Sequence, residues 1–94
     1  EKVIFFNIFK KDQSIIITIL DNGGGIKKDI LPKIFDAYFT TKHQSVGTGL
    51  GLHMTYIIIT NNFLGTLEVE NHNFTYKDKE YQGAKFTISL PIEA

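Results

Sequence analysis

Two glycine clusters, separated by one long connection, constrain this chain more than any other feature. Gly23–Gly25 ends a run of β-branched residues, and Gly47, Gly49 and Gly51 lead into a stretch with helical spacing. Glycine loses more conformational freedom on folding than any other residue, so each cluster is expected to end regular structure. A connection of roughly 20 residues inside a compact domain is usually a lid or a binding loop. The pattern therefore predicts a binding loop between a strand and a helix.

The residues before the first cluster favour a β-hairpin. Runs 3–9 and 14–20 are rich in β-branched and aromatic residues, and the polar stretch 10–13 between them is typical of a turn. The second run is apolar at nearly every position from Ile15 to Leu20. Because β-branched side chains suit a pleated surface, this run is predicted to be a central strand.

The residues after the second cluster predict one amphipathic helix over 50–63. Thr48 is placed to cap its N-terminus, and Gly65 lies just past its end. The apolar positions that recur at helical spacing are Leu50, Met54, Ile57 and Ile58.

Two alternating runs close the chain, and each has one apolar face. The polar stretch 71–82 between them predicts a hairpin connection. The order strand, strand, lid, helix, strand, strand differs from the alternation of a parallel doubly wound sheet. We therefore expect an α+β fold, a two-layer α/β sandwich whose mixed, mainly antiparallel sheet carries a helix on one face. The apolar faces consist of Leu67 and Val69 in the first run, and of Phe86, Ile88 and Leu90 in the second.

Composition excludes several classes of function. Ten basic and ten acidic residues give a net charge of zero, which leaves no basic excess to neutralise a nucleic-acid backbone. The 94 residues contain no cysteine, so disulfides and thiolate metal sites are excluded. No apolar run reaches the roughly 20 residues of a membrane span. One compact domain is the largest object that a chain of this length builds.

A helix that begins after glycines is suited to phosphate binding. Its free backbone N–H groups and the positive end of its dipole face the ligand, and no Cβ blocks the approach. Either cluster alone is explained as well by a hinge or a helix cap, because short glycine motifs often match by chance. Two clusters that flank one lid favour the binding interpretation. Neither cluster is a P-loop, since no Gly-Lys-Ser/Thr follows, and the context of a Rossmann motif is absent.

Four motifs resemble the catalytic ATP-binding domain of sensor histidine kinases, and they occur in the family's order. That domain belongs to the ATPase superfamily shared with gyrase, the MutL repair protein and a heat-shock chaperone. The Thr-Thr-Lys that ends the second motif points to the histidine-kinase branch. The motifs are the first glycine box at 21–26, the phenylalanine box at 34–42, the second glycine box at 47–52 and the terminal strand at 83–91.

The resemblance implies a role for each matched residue. Asp21 corresponds to the carboxylate that accepts from the adenine amine, and a carboxylate that only accepts separates an amino purine from a keto purine. Taken alone, Asp21 is read as an Asx turn or a strand end. Lys42 would reach a phosphate or be an ordinary solvated lysine. Phe35 and Phe39 would anchor the lid or simply pack in the core. The implied ATP-binding set is Asp21, Gly23, Gly25, Ile26, Phe35, Phe39, Lys42, Gly47, Thr48, Gly49, Leu50, Gly51 and Leu52.

The asparagine box, which holds Mg²⁺ in the family, is not found in this chain. The residues before Asp21 are taken up by the predicted hairpin, and Asn7 stands in a strand where it cannot replace the box. We expect the Mg²⁺ ligand upstream of Glu1, and neither a metal ligand nor a catalytic residue within the chain. The chain is thus predicted to be a single partial ATP-binding domain of the Bergerat type, inactive alone. It divides into a hairpin at 1–21, an ATP lid at 26–46, a helix at 48–64 and C-terminal strands at 65–91.

Two further expectations concern the surface. His43, His53 and His72 are not spaced as a metal-binding pair, so they are predicted to be surface or lid residues. One apolar face of the sheet would be covered only by the predicted helix, so the chain is expected to associate with itself through this face.

The resemblance implies that the parent protein is a protein-histidine kinase that uses ATP and Mg²⁺. It would transfer the γ-phosphate to a histidine of its own dimerisation domain and support onward transfer to the receiver domain of a response regulator. The parent would be a cytoplasmic homodimer, with or without a membrane anchor, and would bind no nucleic acid. Two alternatives remain open: a non-kinase ATPase of the same superfamily, and an interaction module that binds no nucleotide.

Overall fold

The computed structural model describes residues 2–37 and 51–92. Four strands and one helix form the described part of the chain. The helix continues into a π-helical turn at Ile58–Asn62, and a 3₁₀ turn spans Leu31–Lys33. The strands and the helix are β1 (Ile4–Lys11), β2 (Ser14–Asp21), α1 (Gly51–Ile57), β3 (Thr66–Tyr76) and β4 (Lys79–Pro91).

The strands form one sheet in the order β1-β2-β4-β3, and each neighbouring pair is antiparallel. β2 lies between β1 and β4, so the central position predicted for Ile15–Leu20 is confirmed. Asp12, in the turn between β1 and β2, has a positive φ of 56°. The predicted antiparallel sheet with a helix on one face is confirmed, and the described strands include no parallel pair.

One layer of apolar side chains crosses all four strands. Ile17 pairs with Ile8 on one side and with Ile88 on the other, and Ile88 pairs with Leu67. Because side chains alternate between the faces of a sheet, the other apolar residues at this parity share the same face. We call it the helix-side face. Its further members are Ile15, Ile19, Val69, Phe86 and Leu90.

The helical segment covers this face through its last turn. Ile59, in the π-helical turn, is 7% exposed, and the turn packs against β3. Met54 is 57% exposed, and Ile57 and Ile58 are exposed as well. The predicted apolar stripe is therefore wrong for its described members. A π turn holds more residues than an α turn, so the 3.6-residue period does not lead to the residue that reaches the sheet.

Gly65 follows the helical segment for a steric reason. The positive φ at the helix end belongs to Leu64, at 57°, and the Gly65 N–H donates to the Ile59 carbonyl at 2.8 Å. A Cβ at Gly65 would collide with the carbonyl oxygen of Ser89 on β4. The glycine thus allows the chain to pass close to β4 as it enters β3.

β3 and β4 continue through the stretch that was predicted to be a polar connection. They are joined only by a two-residue turn at Lys77 and Asp78, whose φ values are 51° and 63°. Both values are positive, which is characteristic of a type I′ hairpin turn. The prediction of a connection over 71–82 is wrong because aromatic residues alternate with polar ones there, a pattern that an exposed strand also produces.

β1 lies at the edge of the sheet and exposes apolar side chains. Ile4 is 72% exposed, Phe6 62% and Ile8 55%, and all three lie at the parity of the helix-side face. Self-association through this face stays a prediction. No helix within residues 2–37 and 51–92 combines the length and the apolar character that a membrane crossing requires.

Candidate nucleotide-binding site

Asp21 is the last residue of β2, and its carboxylate is held by two backbone groups. Its Oδ1 accepts from the N–H of Gly23 at 3.0 Å and from the N–H of Ala84 on β4 at 3.1 Å. The first bond is the Asx turn that the sequence also allows, and the second ties the carboxylate to the sheet. Both described bonds use Oδ1, which leaves Oδ2 available to a donor from a ligand.

β4 passes unusually close to this carboxylate because of Gly83. A Cβ at Gly83 would collide with the backbone carbonyl of Asp21. The neighbouring Gln82 accepts from the Gly24 N–H at 2.8 Å, so the loop after β2 runs along β4. Gly83 belongs to the terminal-strand motif, and its physical role is to admit this close approach.

Asn71 on β3 holds the end of the same loop. Its Oδ1 accepts from the N–H of Ile26, its Nδ2 donates to the carbonyl of Ile26, and both distances are 2.7 Å. Asn71 was not among the predicted site residues. The alternation that places Leu67 and Val69 on the helix-side face also places Asn71 there, and a polar residue at such a position is the signal that was available.

The backbone at positions 24 and 25 has positive φ values of 97° and 83°, and this conformation requires the glycines found there. A Cβ at Gly25 would also lie 2.8 Å from the Oδ1 of Asn71, whereas a Cβ at Gly24 would meet nothing within 4 Å. The two glycines therefore serve different purposes. Gly24 is needed for its backbone conformation, and Gly25 both for its conformation and for the space that Asn71 occupies.

Phe35 lies between α1 and the sheet. Its ring stacks on Tyr56 with centroids 5.5 Å apart, and meets Phe86 edge-on at 6.3 Å. Its carbonyl oxygen lies 3.0 Å from the Nδ1 of His53, and this carbonyl can only accept, so Nδ1 is the donor. Ring packing and one hydrogen bond at its carbonyl thus hold Phe35 in place, and its role as an anchor of the lid stays a prediction.

The histidines do not all behave as surface residues. His53 is half-buried and bonded to Phe35, and His72 is half-buried and stacks on Phe74 at 6.4 Å, so the prediction of surface or lid residues is wrong for both. Their positions on packed elements explain this, because α1 faces the Phe35 segment and β3 carries a row of aromatic rings. His43 lies outside the described residues.

Of the remaining predicted residues, Gly51 and Leu52 lie within the described ranges and the others do not. Gly51 begins α1 with open space where a Cβ would be, and Leu52 follows it, 41% exposed. Within residues 2–37 and 51–92, no three His, Asp or Glu side chains form a group that could hold a metal ion. The predicted residues that lie outside the described ranges are Phe39, Lys42, Gly47, Thr48, Gly49 and Leu50.

Comparison with known proteins identifies the family. The family model described as histidine kinase-, DNA gyrase B- and HSP90-like ATPase matches residues 2–94. The chain belongs to this ATPase family. The resemblance drawn from the four motifs is therefore confirmed.

Two relatives with curated names are sensor kinases. The chain is 45% identical over 82 residues to the sensor histidine kinase ZraS of Salmonella typhimurium, a match that spans 85% of this chain and 15% of that protein. It is 41% identical over 78 residues to the sensor kinase CckA of Brucella abortus, a match that spans 82% of this chain and 7% of that protein. The chain thus corresponds to a small part of each relative.

Solved structures share the fold. The catalytic domain of the histidine kinase ThkA superposes with a TM-score of 0.76 and 27% identity, over 96% of this chain and 53% of that one. The mycobacterial sensor histidine kinase MprB, at 22% identity, also superposes with a TM-score of 0.76, over 96% of this chain and 59% of that one. The chain therefore has the fold of a histidine-kinase catalytic domain and spans somewhat more than half of the solved chains.

Proposed function

We propose that this chain contributes the adenine-binding half of the ATP site in a two-component sensor histidine kinase. The observation that carries the proposal is the carboxylate of Asp21, which two backbone N–H groups hold through one oxygen at the end of a central strand. A carboxylate in a fixed orientation is a selective partner for an amino group. ATP use follows from membership of the ATPase family.

The adenine would lie against the loop at 21–26. Gly23 and Gly25 allow the loop backbone to approach a flat base closely, and Asp21 would accept from the exocyclic amine of the base. Ile26 leaves the loop toward the segment that carries Phe35. These residues fit an adenine because they combine one oriented acceptor with three consecutive glycines, which carry no side chains of their own.

The triphosphate would lie toward the second glycine cluster. The residues proposed to meet it are Lys42, Gly47, Thr48, Gly49, Leu50, Gly51 and Leu52, with Phe39 as a second anchor of the lid. Glycines at the start of a helix present N–H groups to phosphate oxygens. The described residues offer no cluster that would hold Mg²⁺. We place its ligand upstream of Glu1 and assign the metal no step in this chain.

In the parent protein, the bound ATP would supply its γ-phosphate to a histidine of the dimerisation domain, and the phosphate would pass to the receiver domain of a response regulator. A homodimeric, cytoplasmic kinase is the arrangement we propose. The names of the relatives support this branch of the family over the gyrase and chaperone branches, because ZraS and CckA are both named as sensor kinases.

Calorimetric titration of the full chain with ADP and ATP tests the proposal. Asp21→Asn keeps an oxygen for the N–H groups but replaces the charged acceptor, so we expect at least about a tenfold loss of affinity, typical of a lost hydrogen bond to a charged group. Asp12→Asn is the matched control, since Asp12 is exposed in the turn at the other end of β2. Equal affinities for the wild type and Asp21→Asn, or no binding by the wild type, would refute the proposal.

A further inference from the structure

The loop at 21–26 begins and ends on a single cross-strand pair of the sheet. Asn71 on β3 lies opposite Ala84 on β4. The Ala84 N–H donates to the carboxylate of Asp21, where the loop begins, and the Asn71 amide bonds both backbone groups of Ile26, where the loop ends. One pair of neighbouring residues therefore fixes the distance between the two ends of the loop.

From this arrangement we infer that Asn71 is a positioning residue that sets the purine selectivity of the site. The inference rests on the proposed function, because it assumes that the base lies against this loop. Asn71 acts through Ile26 and is not itself a contact of the base. By holding the end of the loop, it keeps the backbone of Gly23–Ile26 at a constant distance from the Asp21 carboxylate, and that distance must match one edge of the purine.

The chemistry of this contact requires an amide. The N–H of Ile26 needs an acceptor and its carbonyl needs a donor, and a side-chain amide supplies both, as a neighbouring strand would. The reverse orientation of the amide would place oxygen against oxygen and nitrogen against nitrogen, so the network determines it. An Asn71→Asp substitution would keep the acceptor but oppose the Ile26 carbonyl with a second oxygen. The side chain introduced by Asn71→Ser would be too short to make both bonds.

The packing around the contact supports the same conclusion. Asn71 is half-buried, and its Oδ1 lies 2.8 Å from the position that a Cβ at Gly25 would take. The side chain of Gln82 also lies near, with its Oε1 3.2 Å from the same Cβ position. The absence of a side chain at position 25 thus leaves room for Asn71 to reach Ile26.

Binding of two purine nucleotides tests the inference. Inosine diphosphate carries a carbonyl in place of the exocyclic amine of ADP, so the ratio of the two affinities reports how well the loop presents Asp21 to the base. We expect Asn71→Ala to reduce ADP affinity about tenfold, because it removes two partly buried hydrogen bonds. The ADP preference should fall together with the affinity. Asn71→Asp should have the larger effect, since it sets two oxygens against each other.

Asn73→Ala and Asn73→Asp are the matched controls. Asn73 lies two residues further along the same strand, is exposed and pairs with Gln82 in register. Both control variants should keep the affinities and the ADP preference of the wild type. Asn71→Ser serves as a milder second variant if the alanine variant unfolds, and it should give a smaller shift in the same direction.

Amide hydrogen exchange separates a positioning role from a purely structural one. Exchange at the Ile26 amide should accelerate in the Asn71 variants, while the Gly24 amide, which donates to Gln82, should remain protected. The inference is overturned if the Ile26 amide loses protection in the Asn71 variants while the ratio of their affinities for ADP and inosine diphosphate equals that of the wild type. If the wild type binds neither nucleotide, the proposed function itself fails, and the inference fails with it.

Discussion

The loop at 21–26 and the segment 31–37, which we call the lid base, flank the same proposed site but are held by different forces. Hydrogen bonds of 2.7 to 3.1 Å connect the loop to β3 and β4. The lid base is held by ring contacts of 5.5 and 6.3 Å from Phe35 and by one hydrogen bond from His53. Hydrogen bonds weaken steeply with poor geometry, whereas aromatic rings tolerate a range of offsets. The loop is therefore the part of the site with a fixed geometry.

This difference predicts that substitutions have different effects on stability in the two regions. At Gly25 in the loop, a single added methyl group meets the bonded side chain of Asn71, and at Gly83, where β4 approaches the loop, it meets backbone. The structure has little freedom to adjust at either position. In the lid base, a lost contact removes packing but leaves neighbouring groups free to shift. We therefore expect larger losses of stability in the loop than in the lid base.

The largest effect is expected at Gly83. In Gly83→Ala the new Cβ would collide with the backbone carbonyl of Asp21, and the strands must separate to admit it. We expect a loss of about 3 kcal/mol in the free energy of unfolding, at the upper end for overpacking. Gly51→Ala is the control, because its Cβ would meet nothing within 4 Å. Urea unfolding measures both, and equal midpoints would contradict the close approach of β4 to Asp21.

The next largest effect is the loss of stability on substitution of two neighbouring glycines, Gly24 and Gly25. Gly24→Ala and Gly25→Ala both force a side chain into a positive φ, which costs about 1 kcal/mol or slightly more. Gly25→Ala must in addition displace the Oδ1 of Asn71, so we expect it to cost about 1 kcal/mol more than Gly24→Ala. Denaturant unfolding of the two variants gives the difference directly. A larger loss for Gly24→Ala would show that Asn71 does not occupy this space.

A double-mutant cycle at Phe35 and Tyr56 tests the packing of the lid base. Their stacked rings should give a coupling energy of about 1 kcal/mol between Phe35→Leu and Tyr56→Leu in unfolding measurements. The cycle of Phe35→Leu with Tyr76→Leu is the control, because the ring contact of Tyr76 is with Phe5. Strict additivity of the first pair would contradict the stacking of Phe35 on α1.

The smallest effect is expected at His53. Its Nδ1 donates to a carbonyl, and an asparagine carries an N–H at the same distance from the backbone. His53→Asn should therefore retain most of the stability, while His53→Leu should lose about 1 kcal/mol in the free energy of unfolding. Equal losses for both variants would show that the imidazole contributes through packing and not through this bond.

Much of the fold could be predicted from local sequence patterns, because periodicity indicates which face of a strand is apolar. The alternation at Leu67, Val69, Phe86 and Ile88 predicts strands with one buried face, and the apolar run at Ile15–Leu20 predicts a central one. The contacts of the helix were harder to predict from the sequence. Its buried contact is made by Ile59 in a π turn, and a pattern based on 3.6 residues per turn does not indicate that residue.

The site residues could be predicted from the sequence where they are contiguous, but not where the fold brings distant residues together. Asp21 and its glycines form a short motif, whereas Asn71 lies 45 residues from Ile26 and belongs to no motif. The bond from Ala84 to Asp21 spans 63 residues. Contacts of this kind depend on the pairing of β4 with both β2 and β3. The sequence suggests the pairing of β3 with β4 only as a hairpin with a connection over 71–82, and it does not indicate which strand pairs with β2.

Selection of adenine by the Asp21 carboxylate is the central proposal, and the most direct test compares ADP with inosine diphosphate on the wild-type chain. We predict that ADP binds at least about tenfold more tightly, because the amine donates to the carboxylate while the carbonyl of inosine is repelled by it. In Asp21→Asn, this preference should disappear. Equal affinity of the wild-type chain for the two nucleotides would contradict this role of Asp21.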